Sequence, residues 1–226
     1  MAILARMFRW MIALALGIVT LWAAAILVYA VTPAVSTLML ARWATFRPVE
    51  RDWVALTRIS PHLIAAVVAS EDARFCQHRG VDWTELGGVL EEVWAGETPS
   101  RGASTIAMQT VKNTLLAPWR VNARKAVEIP LAMATDLVWG KRRTLEIYLN
   151  VAEWGDGVFG AQAAAKRWFG KDAANLSPRE AALLAAILPN PLLRRADRPS
   201  RGVAAKAGRV QALARGVEPY LDCLRP

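Results

Sequence analysis

The sequence predicts an all-α domain preceded by one membrane-spanning helix, and three observations predict it. Trp10 to Ala41 form a run of 32 residues without a charged side chain. From Ser60 onward apolar residues recur at helical spacing, and no long alternating strand pattern appears. Helix-start chemistry marks the chain at Ser60-Pro61 and again at Ser177-Pro178-Arg179-Glu180.

Within the uncharged run, Met11 to Val31 is 21 residues, enough to cross the ~30 Å hydrocarbon core at ~1.5 Å rise per residue. A cleaved signal peptide has a shorter apolar region of about 7–15 residues, so an anchor that stays in place is expected. Residues 1–41 are therefore read as a short stub and anchor, and 42–226 as one domain. Arg6 and Arg9 precede the span while Arg42, Arg47 and Arg51 follow it, so charge leaves the topology open. Residues 42–59 read as a connection in which Trp43, Phe46 and Trp53 alternate with those arginines. Two readings stay open for these aromatics: a belt at the membrane interface, or a linker covering the domain's flank.

Next comes a helix from Ser60, which caps it, with Pro61 at the first helical position, where a missing N–H costs nothing. Residues 96–104, GETPSRGAS, read as a loop. Helices follow over about 104–116, 122–139 and 141–150, then the glycine-punctuated EWGDGVFG and a short helix AQAAAKRWF. The capping box at Ser177 opens the helix that stops before Pro189, and a weaker helical pattern covers 202–215.

The formal net charge is +9, of which +7 falls on residues 42–226. A basic domain on a membrane anchor suits anionic head groups or phosphorylated substrates beside them. No nucleic-acid-binding motif accompanies the charge, so nucleic acid is not an expected partner. Cys76, Cys223, His62 and His78 are the only cysteines and histidines, and no CxxC pair occurs, so a structural zinc site is not expected. Spacing cannot pair the two cysteines, and free thiols are the default expectation.

Three segments carry chemistry. Ile64, Val67 and Val68 share a helix face, and the next position on that stripe, seven residues after Ile64, is Glu71, followed by Asp72. Partial burial raises a carboxylate's proton affinity, which makes a useful base; a frayed helix end paired with Arg74 or Arg79 is the plain alternative. In GASTIAMQTVKN, Thr105, Gln109 and Lys112 form a polar stripe and Met108, Val111 and Leu115 an apolar one. The helix start there is a ready anion site. In RKAVE, Arg124 and Glu128 stand four apart at the polar end of an apolar helix, and Pro130 leaves the carbonyl of Ala126 without its partner.

Together these segments resemble the family 51 glycosyltransferases, which polymerise bacterial peptidoglycan. EDARFCQHRG fits E-D-x-x-F-x-x-H-x-G, GASTIAMQ resembles G-x-S-T-I-x-Q-Q, RKAVE matches R-K-x-x-E, and KRRTLEIYLN fits K-x-x-I-L-E-x-Y-L-N. The EWGDGVFG…RWFGK stretch is a fifth match, and the resemblance covers about residues 60–190. Thr144 replaces the usual Ile and Met108 the usual first Gln. No transpeptidase S-x-x-K or K-T-G motif occurs, so the chain resembles the monofunctional, membrane-anchored form.

The resemblance implies a lysozyme-like, two-lobed all-α fold on the periplasmic side of the inner membrane. It implies transfer of a lipid-pyrophosphate-linked glycan chain to the 4-hydroxyl of lipid II, with inversion and a β-1,4 bond. Glu71 matches the catalytic base and Glu128 the donor-side glutamate. Asp72, Phe75, His78, Ser104, Thr105, Gln109, Lys112 and Arg124 surround the substrate, the last two on its phosphates. A divalent cation, magnesium or manganese, would be held mainly by substrate pyrophosphate. The implied partners are lipid II, the lipid-linked glycan, the membrane and other cell-wall synthesis proteins. Two rivals remain on the residues alone: a lysozyme-like glycan-cleaving enzyme, and a non-catalytic lipid II-binding scaffold.

Overall fold

The structure, a computed structural model, describes residues 2–98, 102–116 and 124–225. It divides into two units, Met1–Pro33 and Ala34–Pro226. The first is a single helix, α1 (Ala2–Val31), long and apolar enough to cross a bilayer. The second begins inside the uncharged run. Ser36 caps α2 (Thr37–Ala44) through a hydrogen bond from the Leu38 N–H. Part of the expected connection is therefore helical.

The core helix is α3 (Pro61–Glu71). Ser60 caps it as expected, accepting from the His62 N–H, with Pro61 at the first position. Val67 and Val68 are fully buried, and so are Leu63 and Ala66, because α8 (Pro178–Ile187) and α9 (Arg201–Val217) pack against this helix. The capping box forms: Glu180 N–H donates to Ser177 Oγ while Ser177 N–H donates to the Glu180 carboxylate at 2.9 Å. The alanines of α8, all buried, allow this close approach.

A second packed pair joins α5 (Ile106–Thr114) to the long α6 (Arg124–Val151). Two expected helices meet in α6 at Gly140, whose φ of 63° and ψ of 178° interrupt the helical backbone. Lys141 pairs across this break with Asp136 at 2.8 Å and lies 4.8 Å from the centre of the Phe75 ring. The segment also includes α4 (Trp83–Trp94), capped by Asp82, which the sequence reading did not single out, and α7 (Ala161–Phe169), closed by Gly170. Residues 99–101 of the expected loop and 122–123 of the expected helix lie outside the described residues.

The domain is predominantly helical, as expected, and its few strands are too short to have been read from the sequence. The domain contains a small sheet: β1 (Glu50–Arg51), β2 (Glu153–Gly155) and β3 (Val158–Phe159), in the order β1-β3-β2. β1 runs parallel to β3, and β2 antiparallel to it. Strands of two or three residues are too short to carry an alternating pattern. Their hairpin is fixed from outside: buried Arg42 reaches from α2 to Asp156 at 2.7 Å and to the Pro48 carbonyl at 2.9 Å. Gly157, at φ 75°, must be glycine, since a Cβ would stand 2.6 Å from that guanidinium.

The cysteines are not free. Cys76 and Cys223 form a disulfide with Cα atoms 5.6 Å apart, across 147 residues of chain. The C-terminal turn is brought to the turn after α3 by α6, where Arg142 donates to the Leu224 carbonyl. No sequence spacing encodes that approach.

Loop closure of this length is worth up to about 5 kcal/mol in the chain-entropy account. Cys223→Ser is expected to lower the Tm of the detergent-solubilised chain by roughly 5–15 °C, followed by circular dichroism. Added reductant should then lower the wild type and leave the variant unmoved. The Thr144 hydroxyl is fully buried and has no hydrogen-bond partner. Thr144→Val removes that unpaired group at constant shape and should raise Tm by about 2–4 °C.

Candidate active site

α3 ends at Glu71, and the chain turns back at once. Asp72 is buried, and both of its oxygens are used. Oδ1 lies 2.9 Å from His78 Nε2, and Oδ2 accepts the backbone N–H of Ile106 at 2.9 Å. The carboxylate thus caps α5 from a distant segment, satisfying a donor that a helix start leaves open. Thr105, not Ser104, is the capping residue of α5 proper: its Oγ1 accepts from Met108 N–H and donates to the Gly80 carbonyl at 2.6 Å. Gly80, at φ 82°, lies directly on α6, where a Cβ would run into the carbonyl of Ala132.

This arrangement sets Gln109 against Glu71. Gln109 Nε2 donates to Glu71 Oε2 at 3.0 Å, and the Tyr148 hydroxyl donates to Gln109 Oε1 at 3.3 Å. Glu71 is half-buried and has no ion pair within 4 Å among the described residues. It lines a cleft of about 240 Å³ with Arg74, Asp82, Glu85, Ser104 and Thr105. The plain alternative, a pairing with Arg74, does not form; Arg74 turns to Asp82 at 3.4 Å.

Glu128 is buried and pairs with Arg124, Nε to Oε1 at 2.7 Å. Lys125 adds a second cation 4.0 Å from its other oxygen and donates to Ser104 Oγ. Lys112 lies in the same field. Burial pushes its ammonium below the ordinary lysine range; Glu128 and then Glu71 pull it back up, while Arg124 and Lys125 press it down. Burial likewise lowers Lys206 of α9, which also feels Glu71. Two carboxylates and three cations therefore share one region, and Lys112 has no ion pair within 4 Å among the described residues.

Of the sequence-selected residues, Glu71, Asp72, Ser104 and Thr105 line the cleft, Gln109 stands behind Glu71, and Lys112, Arg124 and Glu128 form the adjoining charged group. Phe75 has no exposed surface and packs in the hydrophobic cluster. It faces His78 edge-on at 6.4 Å, so here it supports the site from the core. The Trp53 ring has the guanidiniums of Arg51 and Arg143 at 5.0 and 5.2 Å from its centre, whereas Phe46 is almost wholly exposed. The sequence reading missed Lys125, Tyr148 and Lys206. The first two stand inside quoted motifs; nothing local marks the third.

Arg143 and Glu146 are paired. Glu146 also accepts the Leu56 N–H at 2.9 Å, while the Asn150 side chain brackets the backbone of Val54. Much of KRRTLEIYLN is therefore structural. Among the described residues no group of three His, Cys, Asp or Glu side chains is placed to hold a metal ion.

Lys112→Met should raise Tm by about 2–4 °C, because a buried charge is removed, while transfer falls roughly 10- to 100-fold. The sign in pH follows from linkage. A lysine depressed in the folded state gives the unfolded chain more bound protons, so stability rises with pH between the folded and the unfolded value. The substitution should abolish that alkaline rise, read from urea melts at several pH values.

A transglycosylase family model matches residues 39–215. Biosynthetic peptidoglycan transglycosylase of Rhizobium meliloti is 50% identical over 190 residues, 84% of this chain and 80% of the relative. Proteins of the same name from Rhodopseudomonas palustris (strain HaA2) and Agrobacterium fabrum are 52% and 48% identical. These cover 85% and 92% of this chain, and 85% and 95% of the relatives. With motifs, fold and charged cleft in agreement over most of its length, the chain belongs to the transglycosylase family.

Proposed function

We propose that this chain polymerises peptidoglycan glycan strands from lipid II, as a glycosyltransferase without transpeptidase activity. The observation that carries the reading is Glu71: a carboxylate on an open cleft, held by a neutral amide rather than an ion pair, next to a cluster of cations. A base must be ionised and free to accept a proton, and a pyrophosphate leaving group needs positive charge.

In this mechanism Glu71 accepts the proton of the acceptor's 4-hydroxyl as that oxygen attacks the anomeric carbon of the growing chain. The bond from that carbon to the lipid pyrophosphate breaks on the opposite face, which gives inversion and a β-1,4 linkage. Lys112 and Arg124 balance the departing pyrophosphate charge, Arg124 through its planar fork. Glu128 holds Arg124 in place. A divalent cation would enter as the counterion of the pyrophosphate. Its protein ligands are not preassembled, since Glu128 is already paired with Arg124 and Lys125.

The anchor fits a substrate that keeps its lipid tail in the bilayer. Residues 1–41 serve as stub and anchor in the inner membrane, and residues 42–226 as the catalytic domain on the periplasmic side. The disulfide supports that side, because such bonds persist in oxidising compartments. Other cell-wall synthesis proteins are its expected neighbours there.

Labelled lipid II in detergent, polymerised by wild type and by Glu71→Gln, tests the reading. The variant keeps size and hydrogen bonding, and polymer formation is expected to fall roughly 10²- to 10⁴-fold while lipid II still binds. Wild-type rates from the variant would remove Glu71 from the role of base. A folded wild type that binds lipid II without making polymer would overturn the activity.

A further inference from the structure

A carboxamide presents two different faces to a carboxylate, and only its NH2 end stabilises one. Gln109 therefore assists Glu71 in one orientation and opposes it in the other. A group that supports the assisting orientation lies behind it. Tyr148, on α6, is 2% exposed and belongs to the hydrophobic core, and its hydroxyl donates to Gln109 Oε1 at 3.3 Å. A phenol that keeps its proton is the donor needed to hold the amide oxygen away from Glu71. Burial, and then the charges of Glu71 and Asp72, push Tyr148 well above the ordinary phenol range, so it stays protonated across the working pH.

We infer that Tyr148 is a positioning residue for the base, acting through Gln109, an inference that rests on the reading of Glu71 as base. Tyr148 does not line the cleft and acts through another side chain. By donating to Oε1, its hydroxyl stabilises the orientation in which Gln109 Nε2 meets Glu71 Oε2 at 3.0 Å. With the amide reversed, oxygen would face oxygen, and protonated Glu71 would be favoured over the ionised base.

The test is Tyr148→Phe in the full-length chain, assayed on lipid II in detergent across pH. The maximal rate should fall roughly five- to thirty-fold with little change in KM, and the acidic limb of the rate profile should move to higher pH. That sign follows because an amide free to reverse favours the protonated base, so activity is lost earlier as pH falls. In a Gln109→Ala background the same substitution should change neither the rate nor the limb further. An unmoved acidic limb, or losses that simply add in the double variant, overturns the inference. Should Tyr148→Phe fail to fold, para-aminophenylalanine and para-methylphenylalanine at position 148 make the same comparison in a filled core. The first keeps a donor and should keep the wild-type limb; the second lacks one and should shift it, and equal limbs overturn the inference. Glu71→Gln separates the two readings. If it polymerises at wild-type rate, the base assignment has failed; if it is inactive while Tyr148→Phe matches wild type, only the positioning role has.

Discussion

The site depends on one carboxylate that does no chemistry in the proposed reaction. Asp72 receives His78 on one oxygen and the first N–H of α5 on the other, so the end of α3 and the start of α5 are tied through a single side chain. Because Asp72 follows Glu71 directly, the tie that orients α5 also fixes the last turn of α3. Gln109 then stands one helical turn beyond Thr105, against Glu71. Thr105 adds a second tie to the Gly80 carbonyl, and Gly80 can lie on α6 only because it lacks a Cβ. Three helices meet at the base through the hydrogen bonds that join Tyr148 of α6, Gln109 of α5 and Glu71 of α3.

That order is achieved against electrostatics. Lys112, Arg124, Lys125 and Glu128 crowd one partly buried region, and the fold holds the Lys112 ammonium where burial disfavours it. Such a cluster is costly in the free protein and useful only when an anion arrives, the pattern expected where binding is favoured over stability. The surrounding framework compensates with apolar packing and external ties. The alanine-rich α8 sits close on α3, the disulfide fastens the C-terminal turn beside the site, and Arg42 pins the hairpin.

KRRTLEIYLN shows how one motif divides its labour. Lys141 bridges the break at Gly140 and covers the Phe75 ring, while Glu146 and Asn150 hold the backbone of residues 54–56. Only Tyr148 faces the site, and only through another side chain. Four linked residues of a functional motif thus act at a distance from substrate, as scaffolding that keeps the reactive groups in place.

The sequence by itself determined most of the helices, though not α2 or α4, together with the caps at Ser60 and Ser177, the long apolar segment, and the two glutamates with their basic neighbours. These are local properties: periodicity, capping and residue type need no knowledge of distant chain. Tertiary structure decided which of those groups meet. It paired Cys76 with Cys223, buried Phe75, sent Arg74 to Asp82 instead of the acids beside it, and assembled three strands too short to leave a pattern. It also joined Tyr148, Gln109 and Glu71, which lie 39 and 38 residues apart along the chain. Spacing in sequence constrains neighbours within a helix or hairpin, whereas contacts between helices depend on the packing of whole faces, and no single position records that.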